Sequence, residues 1–83
     1  MRYYFKPSAL KDLKKLPKQI QKRIIAKLDF YTNTQNPLKF AESIQDESLG
    51  QFRFRIGDYR TVFDMDGDEI IILKIGHRRD IYR

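Results

Sequence analysis

The chain has 83 residues, 41% of them hydrophobic, and carries a net charge of +6, enough for one small folded domain spanning 1–83 and too apolar for a disordered basic tail. It has no cysteine and a single histidine, which excludes a disulfide scaffold, a thiolate zinc centre, a thiol nucleophile and a multi-histidine metal site. No apolar run approaches the roughly 18 residues of a membrane span, and the first residues lack the apolar stretch of a signal peptide, so the expected location is the cytoplasm, with no membrane partner.

Residues 2–6 (RYYFK) read as a short aromatic strand, ended by Pro7 and Ser8, with Ser8 placed to cap a helix. Leu10, Leu13 and Leu16 recur every three residues and mark its buried face. Pro17 breaks that helix or opens the next. Ile20, Ile24, Ile25, Leu28 and Tyr31 predict a second helix of about four turns, stopped by the TNTQNP stretch at 32–37. Two helices this close in sequence are expected to form an antiparallel pair joined near Pro17. Residues 38–50 are less regular. Phe40 and Ala41 suit a short helical turn, and Glu42, Asp46 and Glu47 make the stretch acidic.

From Gln51 the period becomes two. Phe52, Phe54 and Ile56 alternate with Arg53 and Arg55, a half-buried strand with a basic outer face. Gly57-Asp58 signals a two-residue turn, and residues 59–63 return as the next strand, placing Arg60 opposite Arg55. Asp66-Gly67 signals a type I′ turn. Residues 69–75 (EIIILKI) are apolar on both faces, as in a central strand. Gly76 is expected to end it, leaving 77–82 as a short strand or edge. These elements predict an α+β fold: a small curved antiparallel sheet packed against an N-terminal two-helix hairpin.

The cations are divided by type. Residues 1–39 hold eight of the nine lysines, and residues 53–83 hold six of the eight arginines. Lysine is a hydrated point charge, whereas the arginine fork matches phosphate oxygens. Arg53, Arg55 and Arg60 together either solvate a strand face or invite a polyanion, held through contacts that carry no sequence readout. His77 is the only side chain of a type that ordinarily titrates near neutrality, and so the candidate proton carrier; a lone histidine serves equally well as a surface group or a carbonyl partner. Tyr82 is either a core anchor or a stacking platform for a base. In a regular strand Arg78 and Tyr82 would share a face and His77 would point away, so a site using all three requires a bend near Gly76. Asp64, Asp66, Asp68 and Glu69 crowd one turn and read as turn formers, only loosely like a calcium loop. The sequence has no glycine-rich phosphate loop and no dinucleotide fingerprint.

The strand-helix-helix opening with SALKDLKKLPKQIQKRI, the FRFRIGDYRTVF hairpin and the KIGHRRDIY tail together resemble the RelE/ParE superfamily of type II toxin–antitoxin toxins, with a fold like that of microbial ribonucleases. The resemblance covers nearly the whole chain and leans toward the RelE type. It implies a ribosome-dependent mRNA endoribonuclease working in the A site without metal or cofactor. Arg53 and Arg55 match that family's basic pair, Arg60 the arginine of its G-x-Y-R element, Arg78 its catalytic arginine and Tyr82 its late tyrosine. Arginines in place of lysines in the basic pair remove a lysine proton acceptor, and the segment from Arg78 to Tyr82 is shorter. Some relatives carry a histidine near the terminus as base, a position His77 resembles. The implied chemistry is attack of a 2′-OH on its own 3′-phosphodiester, with His77 as proton carrier, Arg60 and Arg78 as phosphate clamps, and Tyr82 stacking or hydrogen bonding.

The resemblance also implies alternatives. A ParE-like member would poison DNA gyrase, and a non-catalytic member would only bind RNA. The expected partners are mRNA, the ribosome with its rRNA, and a cognate antitoxin. Lys11, Lys14, Lys15, Lys18 and Lys22 suit an acidic antitoxin segment or, alternatively, ribosomal RNA.

Overall fold

Period-two and helical stretches of the sequence become β1 (Arg2–Phe5), α1 (Pro7–Lys14), α2 (Lys18–Asn33), β2 (Ala41–Ser43), β3 (Phe52–Ile56), β4 (Tyr59–Asp66) and β5 (Glu69–His77), with a 3-10 turn over Pro37–Phe40. The computed structural model describes residues 1–82. The sheet order is β1-β5-β4-β3-β2. Its β2–β3, β3–β4 and β4–β5 ladders are antiparallel, while β1 pairs with β5 in parallel. With neighbours on both sides, β5 is central, as its apolar sequence requires.

Both helices feed one core with the sheet. Ala9 and Leu13 of α1 and Ile24, Leu28 and Tyr31 of α2 are buried against Phe54, Ile56, Phe63, Ile70, Ile72 and Ile75. Aromatic rings run through the middle: Tyr31 lies 4.6 Å from Phe54, and Phe54 stacks at 4.4 Å on Phe63. Leu10 departs from the expected stripe and is 38% exposed. At 3.6 residues per turn, a spacing of three drifts around the helix, and Ala9 is the residue one turn before Leu13. Nor is Ser8 the cap. Lys6 holds the N-cap position with Pro7 just inside the helix, as proline's fixed φ favours. The Ser8 hydroxyl instead donates to the Leu73 carbonyl at 3.1 Å. Pro17 caps α2, and Thr34 closes it, donating its hydroxyl to the Tyr31 carbonyl.

Three further expectations are corrected. Phe40 ends the 3-10 turn, whereas Ala41 already belongs to β2. The β4–β5 loop is Gly67-Asp68, because Asp66 pairs with Glu69. Positive φ occurs there only at Gly67 (+61°), the φ pattern of a type II′ rather than a type I′ turn. Finally, β5 runs through Gly76 to His77. Residues beyond it form a tight turn in which the amides of Asp80 and Ile81 donate to the His77 carbonyl. Buried Ile81 folds back over Gly76, where a Cβ would lie 3.3 Å from Ile81 Cδ1.

The β4–β5 register slips once, so that Val62 faces Lys74 and Phe63 faces Ile72. Ile72 and Ile75 are both in the core, so Leu73 and Lys74 both turn outward, as at a bulge. Helix α1 fastens this spot. Ser8 bonds the Leu73 carbonyl, and the Ile75 amide donates to Asp12 Oδ2 at 3.1 Å.

Candidate functional site

The sheet face away from the helices carries the arginines in two rows. Cross-strand partners share a face, so Glu42, Arg53, Val62 and Lys74 run across β2, β3, β4 and β5. The next row holds Arg55, Arg60 and Gly76. The Gly57-Asp58 hairpin and the turn after β5 close one end. The Arg78 amide donates to the Asp58 carbonyl at 2.8 Å, and its guanidinium lies 3.8 Å from the Asp58 carboxylate.

Arg60 is the fixed member. It is only 8% exposed, and its Nη1 donates to the carbonyls of Gly57 and Tyr59 at 3.0 and 2.9 Å. Burial pushes its pKa down, and the neighbouring charge of Arg55, with smaller contributions from Arg53 and Arg78, acts in the same direction. Four cations therefore feel one another across this face, an arrangement that costs stability until an anion enters.

Arg53 Nη1 donates to Tyr82 Oη at 3.0 Å, and its guanidinium carbon lies 5.6 Å from the centre of the Tyr82 ring. That hydrogen bond is the main cause of its raised pKa, with the Glu42 charge adding to it. Glu42 Oε1 lies 3.6 Å from Nε of both Arg53 and Arg55. This distance is too long for a hydrogen bond, and Glu42 Oε1 and Arg53 Nε are both buried without a hydrogen-bond partner among the described residues. One carboxylate thus lies between two guanidinium groups at ion-pair distance without hydrogen bonding to either.

This combination of sheet, helices and arginine face can be set against known proteins. A family profile described as "ParE toxin of type II toxin-antitoxin system, parDE" matches residues 3–82. The chain belongs to the RelE/ParE toxin superfamily. It is 33% identical to the toxin RelG of Mycobacterium tuberculosis over 95% of this chain and 92% of that protein. It is 34% identical to the toxin RelE3 of Methanocaldococcus jannaschii over 99% and 96%. Among solved structures, the RelBE2 toxin–antitoxin complex of M. tuberculosis superposes with a TM-score of 0.75 at 29% identity, covering 93% of this chain and 96% of that one. The RelB–RelE complex from Methanococcus jannaschii gives a TM-score of 0.73 at 33% identity, with 94% and 93% covered. The RelE/ParE-like α+β fold expected from the sequence is the fold of these neighbours.

Of the residues singled out in this RelE/ParE chain, Arg53, Arg55, Arg60, Arg78 and Tyr82 come together. His77 does not join them. It pairs with Tyr59, whose other partner Ile56 is in the core, so both rings lie on the helix side, edge to face at 5.5 Å. His77 Nδ1 accepts the Arg79 amide at 3.2 Å. The bend that the sequence demanded exists, but it begins one residue too late to swing His77 across. Lys11, Lys14, Lys15, Lys18 and Lys22 are exposed on α1 and α2 or the link between them, so they belong to the helical layer and not to the arginine face. Arg83 lies outside the described residues. Sequence reasoning missed Glu42 and Lys74 as members of the face. Glu42 stood out only as part of an acidic stretch, and Lys74 only as the lysine that falls outside 1–39.

Proposed function

We propose that this toxin is a ribosome-dependent endoribonuclease that cuts mRNA in the cytoplasm by attack of a 2′-OH on the adjacent 3′-phosphodiester. The observation that carries the reading is the gathering of Arg53, Arg55, Arg60, Arg78 and Tyr82 on one sheet face, with the Glu42 carboxylate between Arg53 and Arg55. The names of its relatives, RelG and RelE3, agree with a RelE-type activity.

In this reading, Arg60 and Arg78 grip the non-bridging oxygens of the scissile phosphate. Their forks match two oxygens, and they stabilise the extra charge of the phosphorane where it develops. Arg60 is held in place by two backbone carbonyls, so little reorganisation is needed. Guanidinium groups supply the cationic charge, and the mechanism calls for no metal or cofactor. Arginine is too basic to take a proton, and His77 lies across the sheet. Glu42 therefore takes the proton from the 2′-OH as that oxygen bonds to phosphorus. The P–O5′ bond breaks, and Tyr82 gives its hydroxyl proton to the departing 5′-oxygen. Arg53, donating to Tyr82 Oη, stabilises the phenolate left behind. The products are a 2′,3′-cyclic phosphate and a 5′-OH. Acid–base help of this kind contributes about 10²–10⁴-fold.

The exposed lysines of the helical layer suit an acidic antitoxin segment, since complementary charge steers such encounters; the structural relatives are solved with their antitoxins. A second reading, poisoning of DNA gyrase, draws on the ParE description of the matching profile. End-group analysis of RNA recovered from translating ribosomes separates the two. Cyclic phosphate ends support the nuclease. Intact RNA together with loss of gyrase supercoiling overturns it.

A further inference from the structure

We propose that Lys74 is a phosphate-binding residue that extends the arginine face to a second nucleotide of single-stranded RNA, a proposal that rests on the RNA-cutting reading above.

Ile70 and Ile72 are in the core, and strict alternation would send the next even-numbered side chain, Lys74, inward among them. The register slip prevents this. Ile75 takes the core position, and Leu73 and Lys74 both turn to the helix-free face. Bulges recur beside active sites because they re-aim a side chain. This one is held by two long-range hydrogen bonds from α1, Ser8 to the Leu73 carbonyl and the Ile75 amide to Asp12.

The re-aimed residue falls in the row of Arg53 and Glu42, opposite Val62. It is half-buried and makes no ion pair among the described residues. Two inter-strand spacings separate it from Arg53 along that row, about 10 Å between backbones. Arg55, Arg53 and Arg78 all act on Arg60 and so converge, whereas Lys74 extends the charge sideways toward the next phosphate of the strand. A lone point charge suits that task, because it positions the chain and need not match two oxygens. The rest of residues 40–83 supplies no other lysine.

The test measures binding of a short single-stranded RNA, 2′-O-methylated to block cleavage, by fluorescence anisotropy between about 50 and 200 mM salt. Each phosphate contact contributes about 0.7 to the slope of log affinity against log salt for a single strand. K74Q is expected to make the slope shallower by about 0.7, K74R to restore it, and K27Q at an exposed position of α2 to leave it unchanged. K74M, which keeps the aliphatic stem, repeats the measurement if K74Q melts early. A K74Q slope equal to wild type overturns the Lys74 assignment and leaves the arginine face standing. A wild-type protein with no salt-dependent RNA binding overturns both.

Discussion

Gly50 tests the architecture of the arginine face without touching its chemistry. The residue has φ of +142°, and a Cβ placed there would lie 2.6 Å from Val62 Cγ1 and 3.2 Å from Leu73 Cδ1. The chain is pulled this close by reciprocal bonds: Gln51 N donates to Asp64 Oδ1, and Met65 N donates to Gln51 Oε1, both at 2.8 Å. Gly50→Ala therefore meets two costs. A side chain in a backbone region reserved for glycine costs about 1–3 kcal/mol. Forcing a methyl group into fully packed Val62 costs about 1–3 kcal/mol more. The sum, near 4 kcal/mol, rivals the whole stability of a domain this size, about 4–12 kcal/mol, and corresponds to a melting point about 15–30 °C lower. Gly67→Ala is the control. Its φ is +61° with nothing within 4 Å, so only the backbone term applies, about 1–3 kcal/mol. Urea unfolding followed by circular dichroism measures both variants. In a double-mutant cycle, Val62→Ala removes the methyl that clashes, and a coupling of about 1–2 kcal/mol is expected, within the range for residues in contact. Equal losses in the two glycine variants, or no coupling with Val62, would refute the packing argument.

Further outcomes follow from the site and the core. Glu42→Gln should slow single-turnover cleavage by at least about 10²-fold while RNA affinity holds or tightens, because a negative charge leaves a cationic face. His77→Gln should leave cleavage within a few-fold of wild type, and a large loss there with Glu42→Gln active would exchange the two roles. Tyr82→Phe should slow cleavage and leave the salt dependence of binding unchanged. Tyr3 donates to Asp29 Oδ1 at 2.7 Å, and burial together with that bond pushes its pKa up to about 12. A pKa raised by folding favours the neutral phenol, so this contribution is full below pH 10 and disappears as pH rises through about 12. The wild-type loss of stability from pH 9 to 12 should therefore exceed that of Tyr3→Phe, as read from urea midpoints.

The sequence was most readable where local rules suffice. Phe52 to Phe63 carries period-two alternation and a two-residue turn, and those alone put Arg55 opposite Arg60 on the outer face. The site became unreadable where pairing depends on distant parts of the chain. Glu42 sits on a three-residue strand whose register to β3 is set across the irregular 44–51 stretch, closed by the Ile44 amide on the Gln51 carbonyl. Lys74 changes face because of one slipped residue, fixed from α1 some 60 positions earlier by Asp12, and no periodicity in EIIILKI announces it. His77 lies on the other face for the opposite reason. The strand continues through Gly76, so parity carries the ring to Tyr59 and away from Arg60. The tail beyond it turns because the Asp80 and Ile81 amides find the His77 carbonyl, which no local pattern in HRRDIY signals.

Whether the arginine face cleaves message on the ribosome is measured by primer extension on a defined mRNA in a purified translation system. Arg78 is exposed and bound to Asp58 only by a backbone bond and a loose ion pair, so Arg78→Ala should fold as wild type does. Wild type should give sharp breaks that require the ribosome and vanish with Arg78→Ala. Intact message with folded wild-type toxin, or breaks that persist undiminished in Arg78→Ala, would contradict it.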